Sequence, residues 1–463
     1  MPGGRLFVIS NRVTPPTGQR GATAGGLAVG VLAALRDKGG TWFGWSGDTV
    51  PDAADRQLRR IERGKIDYAL LDLTEAEYAG HYGGMANRTL WPLFHYRIDL
   101  TSFEHDWYRI YRDVNQRFAE HLLPLLQPND RVWVQDFHLI PLGQELRRLG
   151  FAGRIGFFLH IPFPPTQLFM TMPWHHELGE DLCAYDAVAF QTPTDRDHFL
   201  DYARRELLAE PLDEHRVRVA GRRILAQACP IGIDVKEVER LTTSAEARRH
   251  AATLRGTLAD RALIIGVDRL DYSKGIAERL RAYQMLLSEH PQHRRNVVYM
   301  QISAPSREDL PEYRDMRRAI ERLAGHAIGR FGEADWIPLR YLNRAYSRRT
   351  LAGYYRTARV GLVTPLRDGL NLVAEEYVVA QDPDDPGVLV LSRFAGAASC
   401  LEGALIVNPY DVGGVAAAMH QALTMPLPER QERHRRLLDS VRANDIHAWR
   451  KRCLMALSCE GAS

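Results

Sequence analysis

Hydrophobic residues in this chain gather in short continuous runs and do not alternate with polar residues. Segments of mixed, helix-like polarity separate the runs, which are LFVIS (6–10), RVWVQ (131–135), IGFFL (155–159), AVAFQ (187–191), LIIGV (263–267), VVYMQIS (297–303), VGLVT (360–364), VLVLS (388–392) and LIV (405–407). A strand that is apolar at successive positions is buried on both faces, as in a parallel sheet covered by helices. The pattern therefore predicts an α/β protein.

The rhythm of strands is interrupted at CPIGID (229–234), where proline and glycine precede a charged, helical stretch (236–260). A chain of 463 residues is too long for one ordinary core and fits two domains. We predict an N-terminal domain over 1–230 and a C-terminal domain over 231–445, each with its own doubly wound sheet. Ligands bind such sheets at the carboxyl ends of the strands, so the cleft between the domains is the expected active site. Residues 446–457 are predicted to form a helix that either ends the second domain or packs back on the first.

Composition excludes several classes of protein. A hydrophobic content of 45% with 25% charged residues is typical of a soluble globular protein, and a net charge of +3 gives no argument for a nucleic-acid partner. The five cysteines are scattered and lack C-x-x-C spacing, which argues against a disulfide framework and against zinc. No apolar run approaches the length of a membrane span, and the N-terminus lacks the apolar part of a signal peptide. We therefore expect a cytoplasmic protein without a membrane partner.

The segment TPLRDGLNLVAEEY (364–377) carries the densest candidate chemistry. Asp368 and Gly369 are predicted to form a turn after a buried strand, and a helix is predicted to begin at Gly369 and leave its first N–H groups unpaired. Such N–H groups bind anions, and the carboxylates of Asp368 and Glu376 accept hydrogen bonds from sugar hydroxyls. The alternative is structural: Asp368 caps the helix, and Glu375 and Glu376 merely favour its dipole.

A second candidate follows the first strand of the second half. In GVDRLDYSKG (266–275), Arg269 and Lys274 can neutralise a diphosphate whose charge rises as its bond to a sugar breaks. The alternative is a solvated loop, which is the commoner place for basic residues. The chain has no nicotinamide-binding glycine motif and no P-loop. Gly25 and Gly26, after the first strand, allow the backbone to approach a phosphate, although glycine pairs are also ordinary turns.

Polar groups also follow strands of the first half. Asp136 comes after RVWVQ, and His160 comes after IGFFL on a loop stiffened by two prolines, which suits a fixed hydrogen bond to a sugar hydroxyl. Guanidinium groups bind phosphate and aromatic rings enclose sugars, so a phosphorylated acceptor has its own candidates. These are Arg12, Tyr82, Trp91 and Arg307, of which Trp91 is equally a core residue by type.

The motifs SNR, AGGLAVG, WFGWSG, HIPFP, RLDYSKG, TPLRDGLNLVAEEY, VLSRFAGAA and IVNPYD, in this order, make the chain resemble the trehalose-6-phosphate synthases from about Leu6 to about Trp449. The resemblance implies a GT-B fold, in which two Rossmann-like domains place parallel sheets facing each other across a cleft. It also implies that a C-terminal helix, about 446–463, crosses back to the first domain. The implied reaction moves glucose, with retention, from a nucleotide-glucose, most often UDP-glucose, to glucose 6-phosphate. It needs no metal or other cofactor.

The resemblance also implies residue roles. Arg269 and Lys274 would hold the diphosphate with the glycine pair, and Glu376 would hold the ribose. Asp368 and the amides that follow it would hold the donor glucose, with His160 on its 6-hydroxyl. The full donor set is Gly25, Gly26, Arg269, Lys274, Tyr346, Asp368, Gly369, Asn371, Leu372, Val373 and Glu376. The implied acceptor set is Arg12, Tyr82, Trp91, Asp136 and Arg307, and the implied catalytic set is Asp136, His160, Arg269 and Lys274.

Two departures from the family pattern stand out. Gln135 and Phe137 replace a histidine and a tyrosine around Asp136, and Cys400 lies where the family usually has an acidic residue. The first change keeps the aspartate, whereas the second falls in a segment that the family uses for the donor.

The mechanism and the acceptor leave alternatives. A covalent intermediate needs a carboxylate on the face of the sugar opposite the leaving group. Asp136 is the only strand-end candidate in the first half, so we favour front-face attack, in which the leaving phosphate accepts the acceptor's proton. One rival function is the same transfer to glycerol 3-phosphate or a cyclitol phosphate, and another is a non-catalytic sugar-phosphate sensor. The sequence leaves the nucleotide base and the oligomeric state open, a homo-oligomer included.

Overall fold

The computed structural model describes residues 4–15, 30–32, 35, 39–55, 57–307 and 310–458. Contacts divide the chain into two compact units, the first made of Met1–Ile231 with Trp449–Ser463 and the second of Gly232–Ala448. The predicted change of domain, between residues 230 and 231, lies one residue before the change of unit. Each unit is built around its own sheet.

The described part of the first unit contains a ten-stranded sheet, ordered β3-β4-β2-β1-β5-β6-β7-β10-β9-β8. The strands are β1 Leu6–Arg12, β2 Gly40–Val50, β3 Leu58–Arg63, β4 Ile66–Thr74, β5 Arg131–Gln135, β6 Arg154–Phe158, β7 Ala187–Phe190, β8 Glu210–Pro211, β9 Arg216–Val219 and β10 Arg222–Ala228. The seven strands from β4 to β10 in this order pair in parallel, and only β3, β9 and β8 add antiparallel edges in the described sheet. The central strands are buried along almost their whole length, which explains their continuous apolar sequence.

Helices cover this sheet. The longer ones are α1 His105–Leu122, α2 Leu142–Arg148, α3 His175–Cys183 and α4 Pro193–Glu206. Short helical turns lie at Ala53–Asp55, Glu75–Glu77, Trp91–Phe94, Ile98–Leu100, Leu123–Leu125, Phe137–Leu139 and Thr166–Phe169. A π-helix, Tyr78–Leu90, packs closely on α1, since a Cβ at Gly84 would lie 2.4 Å from the Trp107 ring. Its wide turn is a feature that often accompanies functional sites.

The second unit contains a parallel sheet of six strands in its described residues, ordered β13-β12-β11-β14-β15-β16. The strands are β11 Ala262–Arg269, β12 Val297–Ala304, β13 Leu339–Leu342, β14 Val360–Val363, β15 Val388–Ser392 and β16 Leu405–Val407. The strand order reverses between β11 and β14. Ligands of doubly wound sheets bind at such a reversal, outside the carboxyl ends of the strands.

The helices of the second unit are α5 Val235–Thr242, α6 Ala245–Leu258, α7 Ile276–Glu289, α8 Pro311–Phe331, α9 Arg348–Thr357, α10 Leu372–Ala380, α11 Val412–Thr424 and α12 Leu427–Ala443. Short 3-10 turns lie at Tyr272–Lys274, Pro291–His293 and Gly396–Ser399. The predicted helical stretch 236–260 is divided into α5 and α6. Ser244 causes the division, because its side chain accepts from the Ala247 N–H at 3.2 Å and so caps a new helix.

Every strand predicted from a continuous apolar run is present, and the prediction of α/β architecture is confirmed. The sequence analysis missed the inner strands β2, β4 and β10, the edge strands β3, β8 and β13, and β9 beside the edge strand β8. β2 ends in the polar tail SGDTV, and its apolar part is interrupted by Gly44. The edge strands are short or charged, since one of their sides faces solvent.

The last helix, α13 Ile446–Ser458, belongs to the first unit from Trp449 onward. Trp449 is fully buried, with its ring 5.1 Å from that of Trp133 on β5 and 5.3 Å from that of Phe158 on β6. Further along, a Cβ at Gly156 would lie 2.4 Å from the Leu457 side chain, so the helix approaches the sheet closely there. Of the two predicted arrangements for this helix, these contacts match the one in which it packs on the sheet of the first unit.

Trp449→Ala should lower the unfolding free energy of the first unit by about 3 to 5 kcal/mol, because it removes a fully buried indole and leaves a cavity. Urea denaturation followed by circular dichroism measures the loss. The matched control is Met455→Ala on the same helix, where the side chain is 56% exposed and little change is expected. Equal stability of the two variants would contradict the anchoring role.

Candidate functional site

The candidate residues fall into two sets, one in each unit, and Gly25 and Gly26 lie outside the described residues. In the second unit, Arg269 ends β11 and is exposed, while Lys274 lies in the turn that follows and is 8% exposed. The Lys274 Nζ donates to Asp368 Oδ2 at 2.5 Å, and Asn371 Nδ2 donates to the same oxygen at 3.0 Å. A cation and a carboxylate 94 residues apart thus meet at the carboxyl ends of β11 and β14.

Main-chain contacts fix the turn that carries Lys274. Its residues Tyr272–Lys274 are tied to the loop after β14, since the Leu366 N–H donates to the Ser273 carbonyl at 2.7 Å. Gly275 follows with φ +65, and a Cβ there would lie 2.5 Å from the Thr364 carbonyl oxygen. Only glycine combines this left-handed backbone with so close an approach. The glycine of the RLDYSKG motif therefore has a structural reason.

Arg279 is a residue of this site that the sequence analysis missed. It is 1% exposed, and its guanidinium donates to Asp268 Oδ2 at 2.6 Å and to the Lys274 carbonyl at 2.5 Å. Arg279 therefore fixes the main chain of the Lys274 turn and also neutralises the buried carboxylate of Asp268. Burial raises the pKa of Asp268, and Arg279 and Lys274 oppose that rise. No motif marked this arginine, which lies inside a helix; a cation on the apolar side of α7 was the available signal.

The helix after Asp368 begins later than predicted. α10 starts at Leu372 with Asn371 as its N-cap, and Asn371 has a left-handed backbone with φ 80. Asp368 instead continues the strand pairing, because its N–H donates to Phe394 O at 3.1 Å and its carbonyl accepts from Gly396 N at 3.2 Å. The expected helix start at Gly369 and the alternative of Asp368 as the cap are both wrong. The unpaired helical N–H groups therefore belong to the turn that begins with Leu372 and Val373.

Two adjacent carboxylates of α10 lie in different surroundings. Glu376 Oε1 is 3.7 Å from Arg348, and burial raises the pKa of Glu376 while Arg348 lowers it. Glu375 is 5% exposed, accepts from the Ile233 backbone, and its Oε2 has no hydrogen-bond partner among the described residues. Burial raises the pKa of Glu375 to about 8, so this side chain is protonated at neutral pH.

Tyr346 lies on the loop before α9. The Arg344 guanidinium is 4.4 Å from its ring centroid, and the Tyr354 ring contacts it edge-on at 5.6 Å. The ring is thereby held between a cation and a second aromatic group.

In the first unit, Asp136 and His160 come together at the ends of β5 and β6. The backbone N–H of His160 donates to Asp136 Oδ1 at 3.1 Å. Asp136 itself has the unusual backbone angle φ 74. The His160 Nε2 donates to the Gln135 Oε1 at 3.0 Å, which leaves Nδ1 as the acceptor. Burial lowers the pKa of His160 to about 3, so the imidazole is neutral over the physiological range. Gln135, a departure from the family pattern, thus sets the tautomer of a candidate residue.

The acceptor candidates are only partly gathered. Arg12 ends β1 with its guanidinium 5.6 Å from the Trp45 ring, and Tyr82 on the π-helix is 6.4 Å from the same ring. Trp45 therefore joins the two, and the sequence analysis missed it although it lies in the WFGWSG motif. Trp91 is buried and packs on His95 at 4.1 Å, which is the behaviour of a core residue. Arg307 lies in the second unit, where it pairs with Asp271 at 2.9 Å.

Within the described ranges, no cluster of three or more histidine, cysteine or acidic side chains is arranged to hold a metal ion. Of the helices in the described residues, none combines the length and the apolar character needed to cross a membrane.

Comparison with known proteins assigns the family. The model of glycosyltransferase family 20 matches residues 14–458. The chain belongs to glycosyltransferase family 20. Its fold is accordingly the GT-B fold of two Rossmann-like domains. The protein is an enzyme that transfers glycosyl groups.

Curated relatives of this family 20 glycosyltransferase cover almost its whole length. The trehalose-6-phosphate synthase of Klebsiella pneumoniae is 48% identical over 448 residues, which are 97% of this chain and 94% of that protein. The trehalose-6-phosphate synthase of Sinorhizobium fredii is 47% identical and covers 96% of each chain.

Solved structures give the same result. An alpha,alpha-trehalose-phosphate synthase (UDP-forming) from Burkholderia xenovorans in complex with glucose-6-phosphate has a TM-score of 0.93 and 47% identity, covering 98% of this chain and 100% of that one. A structure described as trehalose-6-phosphate from E. coli bound with UDP-2-fluoro glucose has a TM-score of 0.94 and 45% identity, covering 99% of both chains.

Glu375→Gln should change how stability depends on pH. Burial raises the pKa of Glu375 to about 8 in the folded protein, whereas the unfolded chain releases this proton near the ordinary glutamate pKa of 4.5. Between these values the unfolded state binds fewer protons, so the free energy of unfolding falls as the pH rises. The glutamine variant lacks this fall, and its advantage over the parent should grow across the window by a few kcal/mol, on the order of 3.

Urea denaturation at several pH values measures this difference. Glu321→Gln, whose parent side chain is 44% exposed, is the control and should follow the parent protein. A constant difference between Glu375→Gln and the parent from pH 4.5 to 8 would show that Glu375 is ionised in the fold.

Proposed function

We propose that this family 20 glycosyltransferase is a trehalose-6-phosphate synthase. It transfers glucose from UDP-glucose to glucose 6-phosphate with retention at the anomeric carbon, and it releases UDP. The observation that carries the proposal is the near full-length similarity, at 47% identity, to a UDP-forming synthase that holds glucose-6-phosphate. The similarity to a structure with UDP-2-fluoro glucose supports the choice of donor. Transfer to glycerol 3-phosphate or a cyclitol phosphate, and a sensor without activity, have no such support.

The donor residues lie mainly in the second unit. Arg269 and Lys274 would bind the diphosphate, since both lie where the parallel strands end and both carry positive charge. Asp368 would accept hydroxyls of the glucose, and Glu376 those of the ribose. The remaining donor contacts would come from the N–H groups around the start of α10 and from the aromatic ring near the base, namely Gly369, Asn371, Leu372, Val373 and Tyr346. Gly25 and Gly26 complete the proposed donor set.

The acceptor residues lie mainly in the first unit. Arg12 and Tyr82 share the Trp45 ring, so a phosphate and a sugar face can be bound side by side there. Trp91 and Arg307 complete the set proposed for the acceptor phosphate. His160, which is neutral and offers Nδ1 as an acceptor, suits the donor's 6-hydroxyl, and Asp136 lies beside it for the acceptor sugar.

The chemical step is a front-face transfer. As the anomeric carbon–oxygen bond breaks, negative charge builds on the diphosphate, where Arg269 and Lys274 stabilise it. The acceptor hydroxyl attacks from the same face and passes its proton to the leaving phosphate oxygen, which preserves the configuration. Two protein cations supply the positive charge at the diphosphate, so we propose that the reaction needs no metal and no other cofactor.

UDP release in the presence of UDP-glucose should require glucose 6-phosphate. A coupled assay for UDP, run with glucose 6-phosphate, with glycerol 3-phosphate and with no acceptor, measures this dependence, and excess EDTA should leave the rate unchanged. Release with glycerol 3-phosphate alone would identify a different synthase. Absence of release with every acceptor would indicate a protein that only binds sugar phosphates.

Arg269→Ala should lower kcat/KM by about a hundredfold or more, because it removes a charged donor from the transition state, a loss on the order of 3 kcal/mol. The matched control is Arg318→Ala on α8, where the side chain is 71% exposed and normal activity is expected. Near-normal turnover by Arg269→Ala, together with loss of a trapped glycosyl adduct in Asp136→Asn, would favour a covalent mechanism instead.

A further inference from the structure

Asp271 is a buried carboxylate that none of the proposed roles uses. It follows β11 between Arg269 and Lys274, and it is 0% exposed. We propose that Asp271 is a positioning residue that holds Arg307 in place for the acceptor phosphate and links it to the donor loop. The inference rests on the proposed function, because that function gives Arg307 its ligand.

Each oxygen of Asp271 has a different task. Oδ1 accepts from the Ser273 N–H at 2.9 Å and so caps the turn that carries Lys274. Oδ2 accepts from Arg307 Nη1 at 2.9 Å and from the Tyr313 hydroxyl at 3.0 Å. One carboxylate therefore joins the loop after β11 to the loop after β12.

The triangle of Asp271, Arg307 and Tyr313 has a consistent order of donors. Arg307 Nη1 donates to the Tyr313 oxygen at 2.6 Å, and the Tyr313 hydroxyl donates to Asp271. Burial and the nearby carboxylate raise the pKa of Tyr313, so its hydroxyl keeps the proton that this arrangement needs. The Arg307 side chain is only 9% exposed, so its direction is fixed by these partners more than by solvent.

The backbone at Arg307 supports the same conclusion. Arg307 has φ 49, a left-handed conformation that a non-glycine residue adopts at a cost and keeps only where its surroundings impose it. The two loops also run side by side, since the Leu270 N–H donates to Ala304 O at 2.7 Å. The side chain of Arg307 therefore starts from a strained backbone position and is oriented by its contacts, and Asp271 provides a charged contact at 2.9 Å.

Asp271 is proposed to act on the acceptor through Arg307 and not by direct contact. Replacing its carboxylate by an amide keeps an oxygen for the Ser273 N–H, and therefore keeps the Lys274 turn, but removes the charge that faces Arg307. The affinity for the acceptor phosphate should then fall while the donor affinity stays. A residue that merely stabilised the fold would affect both substrates alike.

The test uses the full-length protein and the variants Asp271→Asn and Tyr313→Phe. Asp315→Asn, with a parent side chain that is 74% exposed, is the matched control. For Asp271→Asn, we expect KM for glucose 6-phosphate to rise by about tenfold to a hundredfold, the loss typical of a hydrogen bond to a charged group. KM for UDP-glucose, and the Kd of UDP alone, should stay within about twofold. Tyr313→Phe should raise KM for glucose 6-phosphate by about threefold.

A double variant shows whether Asp271 acts through Arg307. In an Arg307→Met background, which itself raises KM for glucose 6-phosphate, adding Asp271→Asn should raise it no further. An unchanged KM for glucose 6-phosphate in Asp271→Asn, or equal increases for both substrates, would overturn the inference. If Asp271→Asn fails to fold, an unchanged KM in Tyr313→Phe overturns it. Lack of acceptor-dependent UDP release by the parent protein is a separate result, which overturns the proposed function and the inference with it.

Discussion

The salt bridge between Lys274 and Asp368 is the interaction on which the site of the second unit depends. Its side chains are only 10% and 14% exposed, so each charge has lost most of its hydration and needs the other. Breaking one side without a replacement leaves a buried charge, at a cost of several kcal/mol. Under the proposed function, a bound diphosphate would be such a replacement for Lys274, since it would bring negative charge to the same place. Asp368 would then be released to accept sugar hydroxyls, so one ligand can satisfy both partners.

Lys274 could change its partner from Asp368 to a diphosphate because the backbone around both residues is held by other contacts. Arg279 fixes the Lys274 carbonyl from the buried side, and the Ser273 carbonyl is held by the Leu366 N–H. The turn therefore keeps its main-chain position whichever partner the ammonium group has. Asp368 is held in the same way, because its N–H and carbonyl pair with the segment after β15. Fixed backbones with exchangeable side-chain partners are what electrostatic preorganisation requires.

The sequence predicted those features that depend on the residues of one short segment, such as a strand buried on both faces. Strands such as β11 and β14 are apolar at successive positions because both faces are covered, and Arg269 and Lys274 were found because they follow such a strand. The start of α10 was misplaced because Asp368-Gly369 is an ordinary turn signal. Asn371, which does cap the helix, has a left-handed backbone and donates to Asp368, and the asparagine alone did not mark this position. Arg279 could not be predicted as a site residue from the sequence. Its role comes from Asp268 and the Lys274 carbonyl, and their proximity is a property of the folded chain.

Neighbouring residues with the same chemistry can have opposite uses, and α10 provides an example. Glu375 and Glu376 are adjacent, so the helix turns them about 100° apart, toward different surroundings. Glu376 lies near Arg348, which favours its ionised form, whereas no described cation shifts the pKa of Glu375, and its burial favours the neutral form although the Ile233 backbone opposes it. Two charged carboxylates at this spacing would repel each other and also repel an anionic ligand at the helix start. Under the proposed function, Glu376 would accept from ribose hydroxyls here, and a protonated Glu375 adds no second negative charge beside it.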